Sequence, residues 1–235
     1  MVVPRVPQLD TVFDRLAEYY GPPAPRPRGD PLAELVATIL SQHTSDTNTE
    51  RAFTSLLETF RSWEAIAEAP LESVADAIRS GGLARVKAPR IQRVLRTVHE
   101  RRGEYRLDFL RDLPVAEARE WLTTLNGVGP KTAACVLLFA CDLPALPVDT
   151  HVHRVSKRLG LIGLKVGEAA AHRVLEGIVP AGDVYAFHML LIRHGRQICK
   201  SQRPRCDACP LTDSCPKVGV EPAPMRDEAD PARAL

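Results

Sequence analysis

The sequence has few aromatic residues, little excess of one charge and no long apolar segment. Aromatic residues make up 5% of the 235 residues, and the formal net charge is only +2. The longest apolar run, around Ala133–Cys141, is far too short to span a bilayer, and the start, Met1–Arg5, lacks the apolar stretch of a signal peptide. We therefore expect a soluble, cytoplasmic protein that makes no membrane contact.

Runs of β-branched and aromatic residues are scarce as well, whereas apolar residues recur at spacings of three and four. This pattern predicts an all-α protein of roughly ten helices. A short helix at about Leu9–Tyr20 precedes a proline-rich connector, and residues from about Glu221 onward are expected to form a disordered tail. Cap and first-turn residues predict further helix starts at Asp30–Pro31, Asp46, Ser62, Pro70, Ala88, Pro114, Pro130, Asp149, Gly167 and Asp183.

Positive charge is concentrated in one segment, Arg79–Arg111, which holds ten Lys and Arg residues against three Asp and Glu. Such a segment is a candidate surface for phosphate groups. A solvated helix face gives the same pattern, so the charge run predicts a nucleic-acid partner only in combination with other motifs.

The cysteines fall into two groups. Cys135 and Cys141 lie in an apolar helical stretch. The other four, in a polar stretch, follow the spacing Cys-x6-Cys-x2-Cys-x5-Cys and are metal-ligand candidates: Cys199, Cys206, Cys209 and Cys215. Zinc sites usually contain two tight cysteine pairs, whereas here one tight pair is flanked by single cysteines, so a cubane iron–sulfur cluster fits better than zinc. Basic residues surround this loop, with no acidic residue between Arg193 and Arg205.

A second motif, residues 125–133, reads Leu-Asn-Gly-Val-Gly-Pro-Lys-Thr-Ala and predicts a helix, a tight hairpin and a second helix. Gly127 and Gly129 allow close approach of a ligand, and the helix that begins at Pro130 exposes unpaired N–H groups with partial positive charge. Such a turn can bind a phosphate without reading base sequence. A bare Gly-x-Gly is more often an ordinary turn, but the Pro-Lys-Thr continuation favours the functional interpretation.

Two titratable residues could carry chemistry. Lys131 falls in the first turn of its helix, where the helix dipole disfavours the charged amine and so favours a nucleophile. Asp149, in the segment Val-Asp-Thr-His, is a natural helix cap whose carboxylate could also face a cleft. A phosphate-binding lysine and a purely structural cap are the alternatives, and His151 could line the cleft or serve only structure.

With the hairpin, the Val-Asp-Thr-His segment and the cysteine loop in this order, the chain resembles the endonuclease III family of helix-hairpin-helix DNA glycosylases over roughly residues 30–215. The resemblance implies two all-α domains with a DNA-binding groove between them. Residues 29–144 would form a six-helix barrel that contains the hairpin, and residues 1–28 with 145–217 an iron–sulfur domain, followed by a disordered tail at 218–235. It also implies a [4Fe-4S] cluster bound by Cys199, Cys206, Cys209 and Cys215.

The resemblance further implies a reaction, in which Lys131 matches the lysine nucleophile and Asp149 the assisting carboxylate. The enzyme would cleave the strand through a Schiff base on this lysine. Adenine-specific relatives lack the lysine, so its presence favours the branch that removes oxidised pyrimidines. Its partner would be double-stranded DNA with a damaged base or an abasic site, bound by a monomer associated with the nucleoid in a prokaryote. Residues predicted to contact DNA are Gln42, His43, Leu83, Gly127, Val128, Gly129, Lys131, Thr132 and His151.

The chain departs from the family where side chains fill the gap left by the flipped base. Family members carry Ser-Ala-Gln, whereas residues 41–43 here are Ser-Gln-His. By register His43 takes the filling position, although Gln42 could substitute. Leu83 matches the apolar wedge of the second loop, but Gly81 stands where a bulky residue is common, which predicts weaker wedging and reduced or altered activity.

Two other functions fit the same motifs. The first is a monofunctional glycosylase of the same fold that acts on another base or a mismatch, with Lys131 binding phosphate. The second is a non-catalytic iron–sulfur protein that binds duplex DNA and never releases a base. Only the pairing of Lys131 with Asp149 favours catalysis over these alternatives.

Overall fold

The computed structural model describes residues 7–23 and 29–220. In these ranges all regular structure is helical, which confirms the predicted class. None of the helices in these ranges combines the length and apolar character needed to cross a bilayer. The predicted disordered tail, apart from residues 218–220, lies outside the described residues, as does most of the proline-rich connector. The helices are α1 (Pro7–Tyr20), α2 (Pro31–Leu40), α3 (Asp46–Phe60), α4 (Trp63–Glu68), α5 (Leu71–Ala77), α6 (Ala84–Arg102), α7 (Val115–Thr123), α8 (Pro130–Phe139), α9 (Thr150–Arg158), α10 (Glu168–Glu176) and α11 (Val184–Gln197).

Side-chain caps account for several helix starts. The Asp30 carboxylate accepts a hydrogen bond from the Leu32 N–H at 2.9 Å, directly ahead of α2. Ser62 caps α4 in the same way through Ala65 N at 3.1 Å. Each cap satisfies an N–H group that has no partner within its helix. The predicted starts at these positions are therefore confirmed.

The predicted start of α6 at Ala88 is wrong, because the helix begins at Ala84 and contains Pro89. Leu83 precedes it in the left-handed conformation, with φ of 50°. Pro89 lacks the N–H that would bond one turn back, which makes it a natural marker for a first turn. The helix nevertheless begins one turn earlier, in a turn whose last residue, Lys87, is buried.

Apolar side chains form two cores. The first gathers buried residues between Leu32 and Ala145 from α2 to α8. The second joins α1 to residues from Leu138 to Leu211, which include α9, α10 and α11. The two cores thus fall on the two sides of the domain boundary predicted at residue 144, and the boundary itself stays a prediction. Helix α8 contributes to both cores, because Leu138 at its end packs into the second.

A partly buried ion pair connects the elements of the two cores. Arg119 of α7 donates to both carboxylate oxygens of Glu176 on α10, at 2.5 and 3.0 Å. Both side chains are about one-fifth exposed, and the contact is bidentate, which makes it stronger and more directional than an ordinary surface pair. The pair therefore fixes α10 relative to the barrel that carries the hairpin.

Candidate active site and DNA-binding face

The hairpin before α8 has the geometry that its glycines predict. Gly127 adopts φ of 86°, and the Val128 N–H donates to the Leu125 carbonyl at 3.0 Å. Leu125 and Val128 are buried, so they anchor the turn in the first core while Gly127 and Gly129 stay exposed. Lys131 follows as the second residue of α8 and is partly exposed. The turn thus presents the N-terminus of α8 to solvent as an anion site.

Arginines of α6 pack on this hairpin. A Cβ added to Gly127 would lie 2.8 Å from Arg90 Cδ, so a larger residue there would require the arginine side chain to move. Arg93 donates to Asn126 Oδ1 at 2.9 Å, and Arg101 donates to Thr124 Oγ1 at 2.5 Å. Part of the predicted basic segment is therefore joined to the predicted phosphate-binding turn, and together they form one positive face.

Asp149 caps α9, as the sequence predicts: its Oδ1 accepts from Val152 N at 2.8 Å. The cap orients the carboxylate, which is only partly exposed. The capping hydrogen bond uses only Oδ1 of Asp149. The other carboxylate oxygen is therefore able to act in a cleft at the same time.

The segment that leads to Asp149 is held by three buried or half-buried side chains. His172 and Glu176, one turn apart on α10, bond to both backbone polar groups of Leu146: the Leu146 N–H donates to Glu176 Oε1 at 2.8 Å, and His172 Nδ1 donates to the Leu146 carbonyl at 2.8 Å. His188 of α11 donates through Nδ1 to the Pro147 carbonyl at 2.9 Å. A carbonyl can only accept, so these contacts fix the tautomer of both histidines.

Lys131 and Asp149 both influence the pKa values of two buried groups, Cys135 and His188. Burial raises the pKa of the Cys135 thiol to about 11, with Lys131 lowering it and Asp149 raising it to a smaller degree. Burial lowers the pKa of His188 to about 4, although Asp149 acts to raise it. Because such charge effects weaken with distance, Lys131 and Asp149 each lie near Cys135 and His188.

The lowered pKa of His188 predicts how stability depends on pH. The unfolded chain gains a proton on this histidine near pH 6.5, whereas the folded chain does so only near pH 4. The free energy of unfolding should therefore be unaffected by this group above about pH 6.5 and fall as the pH drops below that value. Burial lowers the pKa of His172 in the same direction.

Urea unfolding between pH 7 and pH 4 measures this effect. His188→Asn keeps an N–H donor for the Pro147 carbonyl but cannot gain a proton, so it should show a weaker pH dependence than the wild type. His99→Asn, at an exposed position, should keep the wild-type dependence. Equal dependence in His188→Asn and the wild type would contradict the prediction.

The two candidate gap-filling residues have different environments. Gln42 is partly buried, and its Oε1 accepts from Arg90 Nη1 at 2.6 Å. His43 is exposed and has φ of 55°. Leu83, in the second loop, is 54% exposed. His43 and Leu83 are therefore the side chains that these loops present to solvent.

The prediction that Gly81 weakens a wedge stays a prediction, but the structure shows what surrounds this residue. Gly81 is buried, and a methyl group added there would lie 3.0 Å from Ala52 Cβ rather than point outward. A bulky residue at this position would collide with α3. The loop can present Leu83 without any contribution from residue 81.

Other predicted contact residues are less available to DNA. The side chains of Val128 and Thr132 are each 5% exposed, so a DNA contact from either residue would use its backbone. His151 lies on α9 against Gly195 of α11, and its Nδ1 accepts from Arg154 Nη2 at 3.1 Å. His151 keeps partial exposure at the start of α9, on the same turn as Asp149.

The four candidate ligands line one cavity together with Arg158 and His194: Cys199, Cys206, Cys209 and Cys215. In the described part of the chain, no three His, Cys, Asp or Glu side chains meet closely enough to hold a single metal ion. The four cysteines line a shared cavity, so their thiolates are able to hold an iron–sulfur cluster between them.

Hydrogen-bond donors point at the sulfur atoms of this cavity. Arg158, which is 9% exposed, donates to Cys199 Sγ at 3.4 Å. The backbone N–H groups of Leu211 and Lys217 donate to Cys209 and Cys215 at 3.4 and 3.3 Å. Donors of this kind stabilise thiolates, the form in which cysteine binds iron.

A buried histidine connects the cavity to α1. His194 Nε2 lies 3.6 Å from Cys209 Sγ, and its Nδ1 lies 3.1 Å from the Tyr20 hydroxyl. Burial lowers the pKa of His194 to about 4, so the ring is neutral at ordinary pH. This contact could not be predicted from the sequence, because a single histidine carries no spacing pattern.

Comparisons with known protein families agree with this geometry. The HhH-GPD superfamily of base excision DNA repair proteins matches residues 36–181, so the chain belongs to that superfamily. Over 186 residues the chain is 38% identical to endonuclease III of Thermotoga maritima, in a match that covers 79% of this chain and 83% of that protein. The predicted endonuclease III family is thereby confirmed.

Two further relationships agree. A putative DNA glycosylase of Arabidopsis thaliana is 37% identical over 192 residues, covering 80% of this chain and 65% of the plant protein, so the chain spans just under two thirds of that relative. A trapped covalent endonuclease III–DNA intermediate superimposes with a TM-score of 0.75 at 32% identity, covering 89% of this chain and 95% of that chain. The fold is therefore that of a protein solved in covalent linkage to DNA.

Proposed function

We propose that this protein, a bifunctional DNA glycosylase and AP lyase of base excision repair, removes oxidised pyrimidines from duplex DNA. The observation that carries the proposal is the position of the partly exposed Lys131 in the first turn of α8, near buried groups that the Asp149 carboxylate also influences. Homology to endonuclease III and the match to a trapped covalent complex support the reaction class. The presence of the lysine favours the pyrimidine branch over the adenine-specific one.

The reaction begins when the damaged nucleotide leaves the base stack. The neutral Lys131 amine attacks C1′ of the deoxyribose, the bond from C1′ to the base breaks, and the base departs with the bonding electrons and gains a proton. The carboxylate of Asp149 stabilises the positive charge that develops on the sugar. Opening of the sugar ring leaves an iminium between Lys131 and C1′.

The iminium then acidifies the proton on C2′. Loss of that proton breaks the bond between C3′ and the 3′ phosphate oxygen, which is the lyase step. Water releases Lys131 from the sugar fragment. In these steps the chain supplies the nucleophile, the carboxylate and a positively charged face for the phosphates. That face consists of the N-terminus of α8 and the arginines of α6.

We also propose that Cys199, Cys206, Cys209 and Cys215 hold a [4Fe-4S] cluster. The four thiols surround one cavity, and donors already point at three of the sulfur atoms. When bound, the cluster cross-links residues 199–215 into a fixed loop that presents basic side chains toward DNA. Burial raises the pKa of the free Cys209 thiol to about 11, so metal binding must displace its proton.

A base-release assay on defined duplexes tests the substrate proposal. Duplexes with thymine glycol, a G:T mismatch or no lesion are incubated with the protein, and strand cleavage is measured with and without hot alkali. We expect cleavage of the thymine glycol strand without alkali, since a bifunctional enzyme cuts the strand itself. Cleavage of the mismatch strand alone, and only after alkali, would support a monofunctional glycosylase and overturn the proposal.

A further inference from the structure

Lys87 is a buried lysine in a segment of otherwise surface-facing positive charge. It lies in the first turn of α6, and it is only 2% exposed. Its Nζ donates to the Leu40 carbonyl at 2.7 Å and to the Gly81 carbonyl at 2.8 Å. A charged amine out of water is costly unless it is hydrogen-bonded, so these two contacts are what makes the position tolerable. Lys87 belongs to the segment predicted to face phosphate groups, and for this residue the prediction is wrong.

Both acceptors lie at places where a carbonyl is available. Leu40 is the last residue of α2, where the carbonyls have no partner further along the helix and the dipole is negative. Gly81 ends the 3-10 turn Arg79–Gly81. The ammonium group therefore connects the ends of two separate elements, and burial lowers the pKa of Lys87 without removing either contact.

Each of these ends leads directly into a loop with an exposed side chain in a constrained backbone conformation. His43 follows Leu40 by three residues and has φ of 55°, and Leu83 follows Gly81 by two residues and has φ of 50°. Non-glycine residues adopt such positive φ values at a cost, and the conformation persists only where the surroundings fix it.

We infer that Lys87 is a positioning residue that sets the distance between the His43 loop and the Leu83 loop, so that both side chains can enter the base stack together. The inference rests on the proposed function, since it assumes that these loops open the duplex. Lys87 itself would not touch DNA. It would act by holding the two loops at a fixed separation. A small misplacement of aligned groups is enough to lower a rate, so the loss of this residue should slow insertion.

Lys87→Met removes both hydrogen bonds and keeps the apolar length of the side chain. The same helix offers a matched control, Gln92, which is 4% exposed and donates through Nε2 to the Ile66 and Ala69 carbonyls at 2.9 and 2.8 Å. Gln92→Met also removes two buried hydrogen bonds to backbone carbonyls. Its acceptors lie at the α4 end, however, away from the two loops.

The experiment measures 2-aminopurine fluorescence in a duplex where this base lies opposite a non-cleavable tetrahydrofuran abasic analogue. Insertion of side chains unstacks the base and raises its fluorescence, and the signal requires no chemistry. We expect Lys87→Met to slow this rise on the order of tenfold or more, and Gln92→Met to leave it near the wild-type rate. Thermal unfolding of both variants checks that their losses of stability are similar.

Equal rates for Lys87→Met and Gln92→Met would overturn the inference. Lys87→Leu, which also removes both hydrogen bonds, provides the same comparison if the methionine variant does not fold. A wild-type fluorescence rise without any borohydride-trapped adduct on abasic DNA would contradict the proposed catalysis and leave the Lys87 result intact. The two failures are therefore distinguishable.

Discussion

Lys131→Gln should lose strand cleavage and borohydride trapping together, with rates reduced on the order of 10³-fold or more, as expected when a nucleophile is removed. An amide nitrogen cannot form the iminium with C1′, so neither the covalent intermediate nor the lyase step that depends on it can occur. Lys131 is partly exposed at the helix start, so the substitution should leave the fold intact. Gel assays of cleavage and adduct formation on thymine glycol duplex measure both losses.

The matched control is Lys165→Gln, the same substitution at an exposed lysine between α9 and α10. It should cleave and trap at the wild-type rate. DNA binding measured in parallel separates lost chemistry from lost affinity, because Lys131→Gln should weaken binding only by the contribution of one charge. Adduct formation that survived in Lys131→Gln would exclude Lys131 as the nucleophile.

The second large effect is expected at the cysteine loop. Cys209→Ala should lose most of the protein-bound iron and acid-labile sulfide, together with the brown colour of the purified protein. Cys209 is a well-anchored ligand candidate, because Leu211 N–H donates to its sulfur and His194 lies beside it. Since metal binding and folding are coupled in such loops, we also expect a lower thermal unfolding temperature.

Cys141→Ala provides the comparison, since Cys141 is 5% exposed and belongs to the first core, away from the cavity. Its iron and sulfide content should equal that of the wild type. If Cys209→Ala keeps the full iron content, the proposed ligand set is incorrect. Zinc in place of iron in both proteins, found by metal analysis, would point to the structural-zinc alternative.

Local rules in the sequence predicted a large part of the fold. Asp30, Ser62 and Asp149 cap helices because each offers a side-chain oxygen directly before a helical pattern. The Gly-x-Gly hairpin follows from the positive φ of Gly127, which side chains rarely tolerate. These features depend on neighbours in the chain, so a single sequence is enough to find them.

What the sequence did not predict depends on contacts between distant segments. Lys87 looks like its arginine neighbours until the structure shows the carbonyls of Leu40 and Gly81 around it. In the sequence, Gly81 is a position that lacks a bulky side chain. Only the structure shows that this position packs against Ala52 of α3. The helix start at Ala84 was missed for the same reason, because the first turn contains Lys87, whose burial depends on the distant Leu40 carbonyl as well as on Gly81.

The segment before Asp149 shows a similar limit. His172, Glu176 and His188 fix Leu146 and Pro147 from two other helices, and none of the three belongs to a recognisable motif. The sequence indicated Asp149 as a candidate but not how it is held. The candidate reacting groups were thus predictable, whereas the side chains that support them required the fold.

The most direct test of the central claim is to locate the covalent adduct. Wild-type protein is incubated with thymine glycol duplex and borohydride, digested, and mapped by mass spectrometry. We expect one modified peptide, carrying the reduced sugar adduct on Lys131. A reproducible adduct on another lysine or on the N-terminal amine, or base release with no adduct at all, would contradict a Lys131 Schiff-base mechanism.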